Sequence, residues 1–220
     1  VTLTLEDHGA ARRHGAAAPF LPGLHAIAAD LPSDRAGIRL HGIAALANLL
    51  GDQALGNEAA RHLGPNARPV RVILFDKTSA ANWALGWHQD RTIAVRARAD
   101  VPGFGPWSVK AGMIHVEPPF ALIERMLTIR IHLDAVPDGN APLLIAPGSH
   151  RLGRIAEADL TSVVERCGIA TCLADLGDIW VYATPIVHAS AASNRLGHRR
   201  VLQIDYSADS LPDGLEWLGV

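Results

Sequence analysis

The string Trp87-His88-Gln89-Asp90 places an imidazole and a carboxylate two residues apart. On an extended segment, residues i and i+2 project to the same side, so His88 and Asp90 can reach one metal ion together. About 100 residues later His188 follows a strand-like run, Asp178 to Tyr182, and Arg199 comes eleven residues after it at the start of another strand. Two imidazoles and one carboxylate occupy one face of an octahedral iron and leave three positions open. A 2-oxoacid fills two of these through its keto and C1 carboxylate oxygens, and dioxygen takes the third. The far carboxylate of a 2-oxodicarboxylate then needs a cation, and a guanidinium meets it with two parallel hydrogen bonds.

These groups must be positioned by strands. Residues Pro69 to Asp76 (PVRVILFD) are apolar and β-branched, which predicts a strand. Met126 to Asp134 alternates strictly, with Leu127, Ile129, Ile131 and Leu133 on one face and Thr128, Arg130 and His132 on the other. Pro137 to Asn140 is a turn signal, Leu143 to Ala146 the returning strand, and Glu157 to Arg166 a surface helix. Further strands are predicted at Ile169 to Leu173, Asp178 to Tyr182 and Arg199 to Tyr206. The first third reads as helical. Ser33 is the expected N-cap of a helix through Ile38, Ile43, Leu46 and Leu50, and Asp52 the cap of a second helix ending near Leu63. Pro19, Pro22, Gly23 and Pro32 predict an irregular lead-in. Helices followed by many short strands with Gly/Pro turns predict a mainly β fold with flanking helices and exclude the alternating pattern of parallel α/β proteins. The long loop 97–112 is expected to cover one end.

The 220 residues suit a single domain over 1–220, mostly helical over 1–66 with the β core over 67–207. Half the residues are apolar and the mean hydropathy is +0.14, so an ordinary core can form. A net charge of −2 without any basic run argues against nucleic acid as partner. No apolar run is long enough to span a membrane, and residues 1–13 lack the pattern of a secretory signal, so a cytoplasmic enzyme is expected. The two cysteines, Cys167 and Cys172, fit no metal or redox spacing.

In these residues the sequence resembles the phytanoyl-CoA dioxygenase-like branch of the iron(II)/2-oxoglutarate oxygenases, which includes ectoine hydroxylase. The resemblance spans roughly Val70 to Tyr206 and rests on WHQD at 87–90, APLLIAPGSHRLG at 141–153, and the segment from His188 (HAS) to Arg199 and Tyr206. It implies a double-stranded β-helix (jelly roll, cupin-like) core. It implies that His88, Asp90 and His188 bind Fe(II), that Arg199 binds the distal carboxylate of 2-oxoglutarate, and that Ser190 helps to hold it while Leu144 packs on the cosubstrate. The implied reaction uses O2, turns 2-oxoglutarate into succinate and carbon dioxide, and hydroxylates an unactivated C–H bond of a small metabolite. Related halogenases lack the carboxylate that Asp90 supplies, so oxidation is favoured over halogenation.

Several residues admit a second reading. His132-Leu133-Asp134 is another His-x-Asp pair, placed at a strand end where Asp often caps the backbone. The polar face Thr128, Arg130, His132 is either solvated or lines the site. In the second case Thr128 touches the cosubstrate, and Arg130 and His132 touch substrate or cosubstrate. Arg200 competes with Arg199, and only one of two adjacent strand residues can face the site. The mixed face shared with Val201 and Gln203 favours Arg199. His115 and Trp107 are candidate substrate contacts, with core or surface roles as the alternatives. Trp83 and Trp87 either wall the pocket or belong to the core, and Lys77 either reaches an anionic group or is a solvated strand end, the commoner fate of a lysine there. A cupin-type hydrolase or isomerase, or a non-catalytic binding protein, would share the fold without needing Arg199. The scarcity of lysines speaks against a CoA thioester as substrate.

Overall fold

A computed structural model describes residues 2–32, 34–35, 37–51, 54–195 and 197–220; the expected caps Ser33 and Asp52 lie outside the described residues. Its strands form three antiparallel sheets. The largest has the order β1 (Ala10–Arg13), β11 (Ile179–Ala183), β8 (Leu127–His132), β13 (Arg199–Ser207), β3 (Arg68–Lys77), β2 (Gly37–Leu40). The second runs β10 (Ala170–Cys172), β9 (Leu143–Ile145), β12 (His188–Ser190), β4 (Leu85–His88). The third, β5 (Ile93–Val95), β7 (Met113–Val116), β6 (Trp107–Lys110), closes one end. The first two are the layers of a jelly roll.

Alternation on the central strands decides what each face does. Val72 and Leu74 of β3, Ile129 and Ile131 of β8, Ile179 and Val181 of β11, and Leu202 and Ile204 of β13 share one buried cluster. It packs beneath α2 (Leu21–Ala29), α3 (Ala44–Leu50) and α4 (Gly56–Leu63) through Leu24, Leu46, Leu50 and Ala59. Each such aliphatic side chain contributes about 1.5–3 kcal/mol on burial. The opposite face of the same strands is polar yet also buried, and it looks toward the second sheet. Leu143, Ile145, Trp180, Tyr182 and Val201 fill one side of that inter-sheet space. The other side is the cavity described below. Two helices complete the frame. Helix α5 (Phe120–Glu124) joins the cluster under the third sheet, and α6 (Leu160–Cys167) covers the outside of the second sheet. A short helix, α1 (Leu5–His8), precedes β1. Among the described residues no helix is long and apolar enough to cross a membrane.

The front of the chain differs from its helical expectation. Gly37–Leu40 is an edge strand paired with β3, and the helix begins only at Ala44. Ile38 and Leu40 turn toward the helical cluster while Arg39 turns away, a period of two that two apolar residues cannot distinguish from a helical turn. β1 adds a strand at the other edge, so residues 1–66 supply both margins of the main sheet. The expected lead-in contains α2, whose Pro22 sits in the first turn, where a missing N–H costs nothing. The loop 97–112 holds β6, which forms a hairpin with β7. Its two-residue tip, Ala111-Gly112, has φ of 52° and 77°, the tight turn whose twist suits a hairpin.

Tyr206 ties the sheet to the helices, since its buried hydroxyl donates to the carbonyl of Leu50 at 3.0 Å. Replacing Tyr206 with Phe leaves that carbonyl unpaired and should lower unfolding stability by about 1–3 kcal/mol. A urea midpoint unchanged from wild type would contradict this role.

Candidate active site

β4 and β12 are antiparallel neighbours, and His88 stands directly opposite His188 in their register. The two rings lie 4.2 Å apart between centroids. One ligand atom each from His88, Asp90 and His188 falls within 4.8 Å of the others, close enough to share an ion. Both imidazoles are fixed in one tautomer. His88 Nδ1 is 2.7 Å from the carbonyl of Gly86 and His188 Nδ1 is 2.9 Å from that of Ile186. A carbonyl oxygen only accepts, so each Nδ1 carries the proton and each Nε2 offers its lone pair. Burial, and after it the neighbouring His88, push His188 down to about 4, leaving it neutral as a ligand must be. Burial by itself would raise the pKa of Asp90. The Arg71 guanidinium outweighs it and holds the carboxyl at about 2. Arg71 Nη2 and Gln203 Nε2 approach Asp90 Oδ2 at 3.5 and 3.4 Å. The donor set fits a divalent transition metal such as Fe(II).

What aims these side chains lies on the outer surface of the second sheet. Trp87 and Val187, each one residue before a histidine, pack against Leu160, Val163 and Val164 of α6. Alternation then turns His88 and His188 inward. Gln89, between His88 and Asp90, is 4% exposed and fully engaged. Its Nε2 donates to the carbonyls of Gly153 (3.0 Å) and Pro185 (2.8 Å), and its Oε1 accepts from Ile155 N–H (2.9 Å). Ser149 of the PGSH string accepts from the N–H of Val187 at 2.9 Å, after Gly148 has made a turn at φ +83°.

A cavity of about 230 Å³ opens from His88, Asp90 and His188. Six cationic side chains line it, Arg39, Arg71, Lys77, Lys110, Arg130 and Arg199, against one carboxylate, Asp90. Arg71 is paired with Asp205 at 2.5 Å, and Thr128 donates to the other oxygen of Asp205 at 3.0 Å. Arg199 is 1% exposed and spends one nitrogen on the carbonyl of Ala141, while its Nε is buried with no partner among the described residues. Its register partner on β3 is Lys77. Lys77 donates to Ser190 Oγ (2.9 Å) and stands 4.8 Å from the centre of the Trp83 ring. Burial, with Arg199 and Arg130 close by, lowers Lys77 to about 7 and, with Arg130, lowers Arg199 to about 9. Arg130 donates to Gln203 Oε1 at 3.2 Å, and its Nε too is buried and unpaired. A dicarboxylate fits the donors left open here.

A family model for phytanoyl-CoA dioxygenase (PhyH) matches residues 39–201, about three quarters of the sequence. The chain belongs to that family. It is therefore a non-haem iron enzyme that depends on 2-oxoglutarate and O2. EctD from S. alaskensis, in its apoform, is similar in structure with a TM-score of 0.66 at 17% identity, over 98% of this chain and 78% of that one. HygX from Streptomyces hygroscopicus, with nickel and 2-oxoglutarate bound, gives 0.62 at 13% identity over 92% and 84%. SnoN, the non-heme alpha ketoglutarate dependent epimerase from nogalamycin biosynthesis, gives 0.63 at 15% over 96% and 87%. Identities this low carry the fold alone. No curated protein sequence matches the chain significantly.

In this phytanoyl-CoA dioxygenase family member the cavity gathers His88, Asp90, His188, Ser190, Arg199 and Arg130 from the sequence-derived candidates. Others stand elsewhere. Leu144 lines a shallow surface depression with Thr171, and Leu143 faces the cavity, because adjacent residues of β9 alternate. Thr128 lies behind Arg71, bonded to Asp205 and Thr184. His132 is buried beside Arg130 and Arg199 but does not line the cavity. His115 is fully buried, with Nδ1 on the carbonyl of Met113, and burial lowers it to about 4. Trp107 packs in the cluster under the third sheet, under the guanidinium of Arg98. Asp134 grips Arg200 through both oxygens and its backbone N–H, which turns Arg200 away from the cavity and accounts for the second His-x-Asp pair. The sequence does not single out Arg71, Arg39, Lys110 and Gln203 as lining residues, and of the two readings open for Lys77 the solvated strand end falls, since Lys77 is 2% exposed. The available signal was alternation: Arg71, Ile73, Phe75 and Lys77 share one face of β3, with a cation at each end.

Gln89→Ala removes three buried hydrogen bonds behind the His88–Asp90 segment. It should weaken nickel(II) binding about 10- to 100-fold, read by calorimetry on folded protein. Undiminished affinity would mean that the segment is held by its backbone pairing alone.

Proposed function

We propose that this protein hydroxylates an unactivated C–H bond of a small organic metabolite, with Fe(II) held by His88, Asp90 and His188 and the distal carboxylate of 2-oxoglutarate held by Arg199. The observation that carries the reading is one continuous cavity. It joins two imidazoles with Nε2 free and a carboxylate held ionised to a buried guanidinium with an unused donor. The metal supplies activation of O2, one oxygen atom of which ends in succinate and the other in the hydroxylated product, while carbon dioxide leaves. The protein's own groups do the remaining work. Arg199, with Lys77 and Ser190 beside it, holds the far carboxylate, and Gln203 orients Asp90. It accepts from Arg130 and from the Tyr182 hydroxyl (3.3 Å), which leaves its amide N–H₂ for the carboxylate. Leu143 and Trp83 exclude water from the same wall. Among the similar structures, HygX with nickel and 2-oxoglutarate and EctD with 2-oxoglutarate and 5-hydroxyectoine support such a use of the fold. A cytoplasmic location accompanies the reading, as the sequence leads one to expect.

Three results test it. His88→Ala, Asp90→Ala and His188→Ala should each abolish release of succinate from 2-oxoglutarate under Fe(II) and ascorbate. Wild-type turnover in any one would show the ligand set to be wrong. Arg199→Ala should weaken 2-oxoglutarate binding by about 1.5–3 kcal/mol, roughly ten- to a hundredfold, whereas Arg200→Ala should not. Equal effects of the two would undo the assignment.

The third result is a pH profile. Lys77 has a lowered pKa of about 7 in the free protein, and a bound dianion raises it. Binding is then strongest below pH 7, where the ammonium is already formed, and requires proton uptake above it. The apparent KM for 2-oxoglutarate should stay flat below pH 7 and climb above it by up to roughly tenfold per unit. Lys77→Met should remove the climb, and a profile identical in that variant would exclude Lys77 from the seat.

A further inference from the structure

The cations of the cavity fall into two groups. Arg199 and Lys77 face each other at one end of the β13–β3 pair. Arg39 lies opposite Ile73, four residues further along β3, about 13 Å at the rise of an antiparallel strand. Lys110, at the end of β6, is close enough to Arg39, Arg71 and Asp90 to feel the charge of all three. A five-carbon cosubstrate that is anchored at Arg199 and chelates the metal leaves this second group untouched.

Arg71 is already neutralised by Asp205 and Asp90 and also donates to the carbonyl of Thr92. Arg39 and Lys110 are not. Neither has a hydrogen bond or ion pair among the described residues, and Arg39 Nε is buried without a partner. The imidazole nearby, His115, is neutral and spends its proton on a backbone carbonyl, so it offers no negative charge. Half-buried cations without a directly paired counter-ion are costly to keep, and a ligand of opposite charge removes the cost.

We propose that Arg39 and Lys110 form an oxyanion seat for the substrate. The molecule oxidised is then a small organic acid, its carboxylate or phosphate lying on the Asp90 side of the metal. The inference rests on the iron and 2-oxoglutarate reading and adds the chemical class of the substrate. A cavity of about 230 Å³ shared with the cosubstrate suits a small acid.

The test uses protein loaded with nickel(II) and 2-oxoglutarate, titrated calorimetrically with hexanoate, hexyl phosphate and uncharged hexanamide. At least one anion should bind saturably and roughly tenfold or more tighter than the amide. Comparing the two anions tells a carboxylate seat from a phosphate seat. In Arg39→Gln/Lys110→Gln the preference for the anion should vanish, with uptake of nickel and 2-oxoglutarate reporting that the variant is folded. If the double variant does not fold, Lys110→Gln alone, on the outer hairpin, should cut the preference by roughly threefold or more. The proposal is overturned if both anions fail to bind, if they bind no better than hexanamide, or if the preference survives in the variant. If the wild-type protein takes up nickel but not 2-oxoglutarate, the cosubstrate assignment fails instead. The anion preference and its dependence on Arg39 and Lys110 are then read on the nickel-loaded protein.

Discussion

A strand residue can face only one of two layers, and the metal site depends on that constraint being met twice. His88 and His188 meet across the β4–β12 ladder because their chain neighbours, the partly buried Trp87 and the buried Val187, pack against α6 on the outside. A slip of one residue in either strand would bury an imidazole under the helix and expose an apolar side chain to the cavity. The hydrophobic contact on the outside therefore fixes the polar geometry on the inside. Gln89 and Ser149 refine it by holding the backbone on which the ligands sit, and each does so with hydrogen bonds directed away from the metal. A helix that reads in the sequence as a surface addition is thus the support of the site.

The main sheet divides its two tasks in the same way. Its outer face carries the aliphatic cluster under α2, α3 and α4, which supplies the driving force for folding. Its inner face can then tolerate a set of side chains that would never be chosen for stability. Six cations around one carboxylate repel one another, and the lowered pKa values of Lys77 and Arg199 express that repulsion together with their burial. Only one of the six is neutralised outright, by the Arg71–Asp205 pair that Thr128 braces. A metal alone would add positive charge to this interior. An anionic cosubstrate and an anionic substrate relieve it, so the protein gains the most from binding both.

Much of this was legible in the sequence wherever the pattern was strong. Strict alternation in residues 126–134 gives β8, the returning strand at Leu143 gives β9, and WHQD with His188 gives the three groups that converge. Where the pattern was short it failed. Gly37 to Leu40 offers two apolar residues, too few to tell a strand from a helical turn, and pairing with β3 decides the matter. Leu144 was named where Leu143 faces the cavity, since a resemblance fixes a neighbourhood but not which of two adjacent residues points inward. The mixed face shared with Gln203 points to Arg199 over Arg200, and it is Arg199 that lines the cavity; what no local spacing reveals is the grip on Arg200 of Asp134, 66 residues away.

The misread stretches are not scattered at random. Arg39 lies on the edge strand taken for a helix, and Lys110 lies on the hairpin taken for a loop. Central strands must satisfy a neighbour on both sides and two packed faces, so their sequences are over-determined and easy to read. Edge elements satisfy half as many constraints, so they vary in length and composition without cost to the core. Of the groups proposed to hold iron and 2-oxoglutarate, His188 and Arg199 sit on strands paired on both sides, while His88 ends the edge strand β4 and Asp90 lies just past it, on a segment braced by Gln89. Arg39 and Lys110, proposed to face the substrate, sit on margins too, on the edge strands β2 and β6. The weak local pattern of β2 and β6 follows from the small number of packing constraints on an edge strand.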